Sequence, residues 1–185
     1  MKTYLALLAI LSLMTFATPS FAADKFNIDP AHSWLNFSMN HGGFAPARGR
    51  FGDVSGTIVF DQDNVTNSSV VVEIKTSSID TNHEARNKHL MSPDFFNAAE
   101  FPTLRFKSTS IKKTGENTGI ITGDLTMVGV KNSVTLDAVF NKADGDKVGF
   151  SATAKIVPGD FGMSKVAGFG MGPAVLITID IEAAK

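Results

Sequence analysis

Hydrophobic residues recur at every second position through eight stretches of the chain: Leu35/Phe37/Met39, Ile58/Phe60, Val70/Val72/Ile74, Leu104/Phe106, Leu125/Met127, Val134/Leu136/Ala138/Phe140, Phe150/Ala152/Ala154/Ile156 and Val175/Ile177/Ile179/Ile181. A period of two sends successive side chains to opposite faces, so each stretch reads as a strand with one apolar face. Ser, Thr, Asn and Lys fill the positions between. Polar stretches such as Asp61–Asn64, Lys113–Asn117 and Lys142–Asp146 separate the strands at hairpin length. The pattern predicts an all-β fold: an eight-stranded antiparallel barrel, wet outside and apolar within.

One stretch lacks this period. Thr81 to Ala99 carries helix formers, among them Glu84, Ala85, Arg86, Lys88, Leu90 and Met91. A short helix is predicted there. A second is predicted where Ser92-Pro93-Asp94 reads as an N-cap with proline at the first helical position, carrying Phe95, Phe96 and Ala99. This insertion between the third and fourth strands is placed to plug or cover one end of a barrel.

The N-terminus has a different character. Lys2 precedes an apolar run from Tyr4 to Phe16, Pro19 breaks it, and Ser20-Phe21-Ala22 sets small residues at the two positions a signal peptidase requires. Residues 1–22 are therefore expected to be a cleaved signal peptide, and residues 23–185 a single domain with a sizeable core. Loss of Lys2 takes the formal charge from −1 to about −2, with no long run of either sign to attract nucleic acid. There is no cysteine, so thiol chemistry and disulfide staples are excluded and stability rests on burial. No lipidated anchor is indicated. Of 15 phenylalanines only Phe16 and Phe21 leave with the signal, while Tyr4 takes the chain's one tyrosine with it. The remainder is a large apolar load without polar handles, suited either to an ordinary core or to lining a cavity.

The residues that could carry catalysis or bind metal do not form the patterns those chemistries need. His32, His41, His83 and His89 do not have metal-site spacing: Asn87 stands where a metalloprotease helix places its second histidine, and His83 and His89, six apart, fall on different sides of a helix. Only a cluster assembled by tertiary structure would remain. Ser55 in Gly52-Asp53-Val54-Ser55-Gly56 is not centred between glycines as a nucleophile elbow demands. Ser110-Ile111-Lys112-Lys113-Thr114-Gly115 contains overlapping S-x-x-K and K-T-G patterns, which in penicillin-interacting enzymes come from separate elements. Gly168-Phe169-Gly170-Met171-Gly172 precedes Pro173 and a strand, not a helix that could hold phosphate. No catalytic residue and no metal ligand is nominated.

Six motifs in order along the mature chain carry a family likeness: Ile28-Asp29-Pro30-Ala31-His32-Ser33, Arg48-Gly49-Arg50-Phe51 with Gly56, His89 to Phe96, Phe101 to Thr109, Gly123 to Val130, and Asp160-Phe161-Gly162-Met163. On these the chain resembles the YceI-like family over essentially all of residues 23–185. The resemblance implies a lipocalin-like eight-stranded barrel in the bacterial periplasm. It would enclose a polyisoprenoid chain, such as an isoprenoid quinone or prenyl phosphate, as carrier or store, with no catalytic cofactor. In one place the chain departs from the family pattern: Pro158 stands where an arginine is common two residues before Asp160-Phe161-Gly162. If that arginine holds an anionic head group, its replacement favours a neutral lipid.

Strand parity together with this resemblance nominates Phe37, Met39, Phe51, Phe106, Leu125, Met127, Leu136, Phe140 and Phe150 as ligand-binding lining. Methionine suits such a wall because its thioether adapts to a bent chain. His41 shares the parity of Phe37 and Met39, so on a regular strand it points inward near a mouth, placed to hydrogen-bond a head group. Arg48 and Arg50 read as turn or ion-pair residues, and Asp29, His32 and Ser33 as structural. An enzyme acting on an isoprenoid, or a stress-responsive protein whose barrel is filled by its own side chains, remains the alternative. The partner expected is the lipid, with no nucleic acid and no membrane anchor, and with room for a homodimer.

Overall fold

The computed structural model describes residues 23–185, except the side chains of residues 167–169; the expected signal, residues 1–22, lies outside the described residues. Eleven strands form one sheet: β1 (Asp24–Ile28), β2 (Trp34–His41), β3 (Ala45–Phe51), β4 (Val54–Phe60), β5 (Ser69–Lys75), β6 (Ile79–Asp80), β7 (Thr103–Lys113), β8 (Thr118–Met127), β9 (Val130–Asp144), β10 (Lys147–Ile156) and β11 (Met171–Ala184). Its order is β1-β4-β5-β7-β8-β9-β10-β11-β2-β3-β6, with β1 also paired to β11. These strands resolve into eight staves. Strands β1 and β2 both pair with β11, through Ile28↔Ala183 and then Asp180↔Trp34 to Met171↔His41, so they are two halves of one stave. In the same way β3 and β4 make the second stave and β5 and β6 the third. All pairings are antiparallel, and the ring closes. The fold is the expected all-β, eight-stranded barrel.

Each of the first three staves is broken near the same level, which the alternation does not reveal. The breaks lean on one another: Gly52 N–H donates to the Ser78 carbonyl at 3.0 Å, and Lys75 N–H to the Asp53 carbonyl at 3.0 Å. Thr76, fully buried, ties this corner to the next segment, with its hydroxyl on the Phe101 carbonyl at 2.7 Å and its N–H on the Pro102 carbonyl at 2.9 Å. A buried hydroxyl left without such a partner would be costly. Because these partners lie in other parts of the chain, the sequence pattern carries little sign of them.

The hairpins set the two ends. The β2–β3, β6–β7, β8–β9 and β10–β11 connections lie at one end, the upper end, and the β4–β5, β7–β8 and β9–β10 connections at the other. The insertion after β6 covers the upper end but holds one helix, α1 (Glu84–Leu90), rather than two. His83 starts α1, its Nδ1 accepting the Arg86 N–H at 3.1 Å, which gives that histidine a capping role. The segment expected as a second helix is a run of turns. Both Phe95 N–H and Asn97 N–H donate to the Ser92 carbonyl, and Asn97 adopts a left-handed φ of 46° that ends any helical course. Phe95 is still buried, and Phe96 packs on the main core. The β10–β11 connection covers the same end, with Phe161 and Met163 buried. A Lys165–Asp94 salt bridge ties the two covers together.

At the break between β1 and β2, Asp29 accepts from His32 Nδ1 at 2.8 Å and from Ala31 N–H at 2.9 Å. The hydroxyl of Ser33 donates to the Glu182 carbonyl at 3.2 Å across the seam with β11. The hydrogen bond to Asp29 raises the His32 pKa above its ordinary 6.5, and the bond from His32 lowers the Asp29 pKa below its ordinary 3.8. The raised histidine adds stability that is fully present below pH 6.5 and lost as pH rises through its folded-state value; the lowered aspartate adds stability present above 3.8 and lost as pH falls through its own. The clasp is therefore complete between about pH 4 and 6.5. An NMR titration of His32 should give a midpoint above 6.5 that moves back toward 6.5 in Asp29→Ala; an unchanged midpoint would contradict the clasp.

Candidate ligand-binding cavity

The inward faces of the staves do not meet. Inside the ring is a hollow of two lobes, an upper one of about 200 Å³ and a lower one of about 380 Å³. Val72, Ile179 and Ile181 contribute to the walls of both, forming a waist. The upper lobe is bounded by Phe37, Met39, Phe51, Phe106, Leu125 and Met127 from the staves, by Leu90, Phe95 and Phe96 from the insertion, and by Pro158, Met163 and Val166 from the β10–β11 connection. None of its lining residues is charged. The lower lobe begins on apolar wall, with Ile28, Ile58, Ile111 and Ile121, and ends among polar residues at the end of β7, Lys112 and Lys113, and of the β4–β5 and β7–β8 loops, including Gln62 and Asn117.

Two cross-strand arrangements leave the upper lobe open. Phe37 faces Gly49 in the β2–β3 register, and its ring lies where a Cβ on Gly49 would stand, 2.3 Å from that point. The ring of Phe106 likewise comes within 2.4 Å of the Cβ position of Gly123 on β8. A ring laid over a neighbouring glycine presents its face to the hollow rather than extending across it. The same logic explains why β3 shows little alternation: its inward positions opposite Met39 and Phe37 are the small residues Ala47 and Gly49.

Aromatic rings also frame the lower lobe. Phe60 stacks on Phe140 with centroids 5.4 Å apart and meets Phe150 edge-on at 5.2 Å, distances at which ring pairs attract. Phe51 makes the matching upper contacts, to Phe37 at 5.7 Å and to Phe96 at 5.8 Å.

Among the nominated residues, Phe37, Met39, Phe51, Phe106, Leu125 and Met127 line the upper lobe, and Phe140 and Phe150 the lower. Leu136 is buried in the main core but lines neither lobe. His41 requires correction: it is exposed at the end of β2 and lines neither lobe. The chain is already turning there, with Gly42 and Gly43 at φ 61° and 80° and Asn40 Oδ1 accepting the Gly43 N–H, so parity carries His41 past the barrel wall. Sequence reasoning missed Phe60, Val72, Ile179 and Ile181, all on recognised strands, because alternation gives the inward side without the depth along the axis. Met163 and Val166 had no periodic signal at all.

The charged residues near these motifs have other work. Arg50 pairs with Asp80 at 3.4 Å and sits 5.6 Å over the Trp34 ring, on the outer surface. Tertiary structure does bring one histidine to two carboxylates: ligand atoms of Asp29, His32 and Glu182 lie within 4.8 Å of one another. In this arrangement Asp29 accepts from His32 and Ala31, and Glu182 from Lys147 at 2.6 Å, so the group acts as a surface clasp. Outward positions elsewhere carry ion pairs such as Arg105–Glu73 and Lys131–Asp124, a water-facing wall.

The fold and the hollow define the class: a lipocalin-like closed barrel with an apolar interior. The YceI-like domain model matches residues 26–183, and this chain belongs to that family. Protein YceI of Escherichia coli O157:H7 is 42% identical over 180 residues, covering 94% of this chain and 92% of its own. Protein YceI of Salmonella arizonae is 40% identical over 182 residues, covering 93% of each. Among solved structures, Burkholderia cenocepacia BcnA superposes with a TM-score of 0.77 at 24% identity, over 84% of this chain and 98% of its own. The Campylobacter jejuni YCEI protein gives 0.68 at 26% identity, over 96% and 99%. A polyisoprenoid binding domain from Saccharophagus degradans gives 0.71 over 89% and 99%, at 15% identity, where the likeness is one of fold.

A methyl group added at Gly123 must displace the Phe106 ring into the upper lobe and crowd the Lys107 carbonyl, 2.6 Å away. Gly123→Ala is expected to cost about 1–3 kcal/mol by overpacking, read as a lower Tm, and to weaken uptake of an apolar fluorophore such as N-phenylnaphthylamine. Unchanged melting and unchanged uptake would contradict the ring-over-glycine account.

Proposed function

We propose that this protein is a periplasmic carrier or store for a long isoprenoid lipid, an isoprenoid quinone or polyprenyl chain, holding it by its tail inside the barrel without turnover. The observation that carries the reading is the two-lobed hollow, whose upper part is walled by apolar side chains and covered at its end by Phe95, Phe96 and Met163. A long hydrocarbon has no stable place in water, and each CH₂ moved into a dry wall contributes on the order of 0.8 kcal/mol, reduced by the entropy of ordering the chain. Small amphiphiles would gain little from so deep a site.

Three further lines support the reading. The polyisoprenoid binding domain that shares this fold gives the guest class its precedent. Export follows from Lys2, the apolar run from Tyr4 to Phe16 and the small residues before Ala23. Binding without turnover fits the side chains inside: no histidine lines either lobe, and the upper lobe offers neither a nucleophile nor an acid–base pair. A barrel filled by its own side chains does not fit the open lobes. Mass spectrometry of an organic extract of the mature protein, purified from its own periplasm, should recover a prenyl lipid at close to one per chain. An extract without lipid, or one holding only bulk membrane lipids in membrane proportions, would overturn the reading.

A further inference from the structure

Phe44, at the tip of the β2–β3 hairpin on the upper end, is 92% exposed. The turn beneath it is well held: Phe44 N–H donates to the His41 carbonyl at 3.1 Å, Gly43 N–H to Asn40 Oδ1 at 2.8 Å, and Gly42 N–H to the Gly170 carbonyl at 3.0 Å. A lone exposed hydrophobe is ordinary on a protein surface, so its surroundings decide its meaning. Phe44 shares one outer depression with Pro46, Ala174, Leu176 and Lys155, and exposed Val157 borders the next depression beside Leu176. The strand register gives this apolar strip its charge. Lys155 faces Leu176, Leu176 faces Ser38 and Ser38 faces Arg48, a row across β10, β11, β2 and β3. The chain neighbours Ile156, Val175, Ile177, Phe37 and Met39 line the upper lobe, so the row itself points outward. Asp137 and Asp160 border the adjoining depression with Lys155. Even so, among the described residues neither Lys155 nor Arg48 forms an ion pair with a carboxylate.

We propose that the β2–β3 hairpin and the outward row beneath it form a reversible docking surface for an anionic lipid bilayer, with Phe44 entering the boundary of the hydrocarbon while Arg48 and Lys155 meet the charged head groups. The inference goes beyond the carrier reading and does not depend on it. Peripheral contacts with membranes combine buried apolar area with attraction of cations to anionic lipid, the two features set side by side here. Charge decides against a second copy of the chain as the occupant, because a two-fold contact would lay the same patch, with the same two unpaired cations, against itself. Shape decides against a folded protein partner: one projecting ring on a hairpin tip is far from the broad apolar centre of a stable protein interface, but it suits a soft surface that closes around it. A single ring and two cations give a weak contact, one that forms and releases rather than anchors.

The test is flotation of the mature protein with vesicles of phosphatidylglycerol and phosphatidylethanolamine, compared with vesicles of phosphatidylcholine alone. The wild type should float with the anionic vesicles, several-fold better than with the neutral ones, and lose that advantage between about 0.05 M and about 0.5 M salt, where exposed charges are screened. Phe44→Ser removes an exposed side chain, so its Tm should be unchanged while its partition onto anionic vesicles falls about tenfold. Arg48→Gln/Lys155→Gln should fall about as far. Lys25→Gln/Lys107→Gln, the same charge loss at exposed, unpaired positions of β1 and β7, should float like the wild type. Several outcomes overturn the proposal: no flotation of the wild type, equal flotation with both kinds of vesicle, a Phe44→Ser variant that floats unchanged, or a control that falls as far as the patch variants. A dimer in solution that Phe44→Ser disperses would assign the patch to a second copy and overturn it as well. None of these results bears on the lipid recovered from inside the barrel, so the carrier reading stands or falls separately.

Discussion

Hydrogen-bond spacing sets the girth of a closed sheet of eight antiparallel staves, so whether its centre is solid or hollow depends on how far the inward side chains reach. In this chain the largest of them are turned aside. Phe37 lies over Gly49 and Phe106 over Gly123, each ring using the space that a side chain on the facing strand would have taken. The apolar mass needed to hold the barrel together thus stays on the wall. Interior atoms elsewhere in a protein pack to crystal-like density. Here that packing is confined to the wall and its corners, and the axis is left to a guest.

The remaining features follow from keeping such a hollow intact. Water must be kept from one end, so the insertion and the β10–β11 connection meet over the upper lobe and are joined by Lys165 and Asp94. Curvature must be absorbed somewhere, and the adjoining breaks in the first three staves supply a corner in which the Gly52, Lys75 and Thr76 N–H groups all find carbonyl partners. The seam between first and last staves is short in β1, and the Asp29–His32 clasp with Ser33 on Glu182 reinforces it. The opposite end keeps a polar rim, which gives the cavity an axis.

Much of this was legible from alternation alone, because a strand with one wet and one dry face leaves a strict period of two. Strand positions, the all-β class, the helical insertion and most of the lining residues follow from it. What was not legible has identifiable causes. Strand β3 hides because its inward residues are small, and those small residues make sense only beside Phe37 and Met39. His41 keeps the correct parity yet overshoots the wall, since parity says nothing about where a strand leaves the barrel. The expected second helix dissolves into turns because Ser92 shares its carbonyl between Phe95 and Asn97. The stave breaks depend on partners far away in sequence, and residues such as Met163 reach the cavity from a connection without any period.

The most direct test of the central claim, that the barrel axis is a dry space for a hydrocarbon tail, is a high-resolution crystal structure of the protein isolated from its own cells. The account predicts continuous, tail-like electron density running from the lower lobe past Val72 and Ile181 toward Phe95 and Phe96. Ordered water throughout that path, or the Phe37 and Phe106 rings swung inward to close it, would contradict the account.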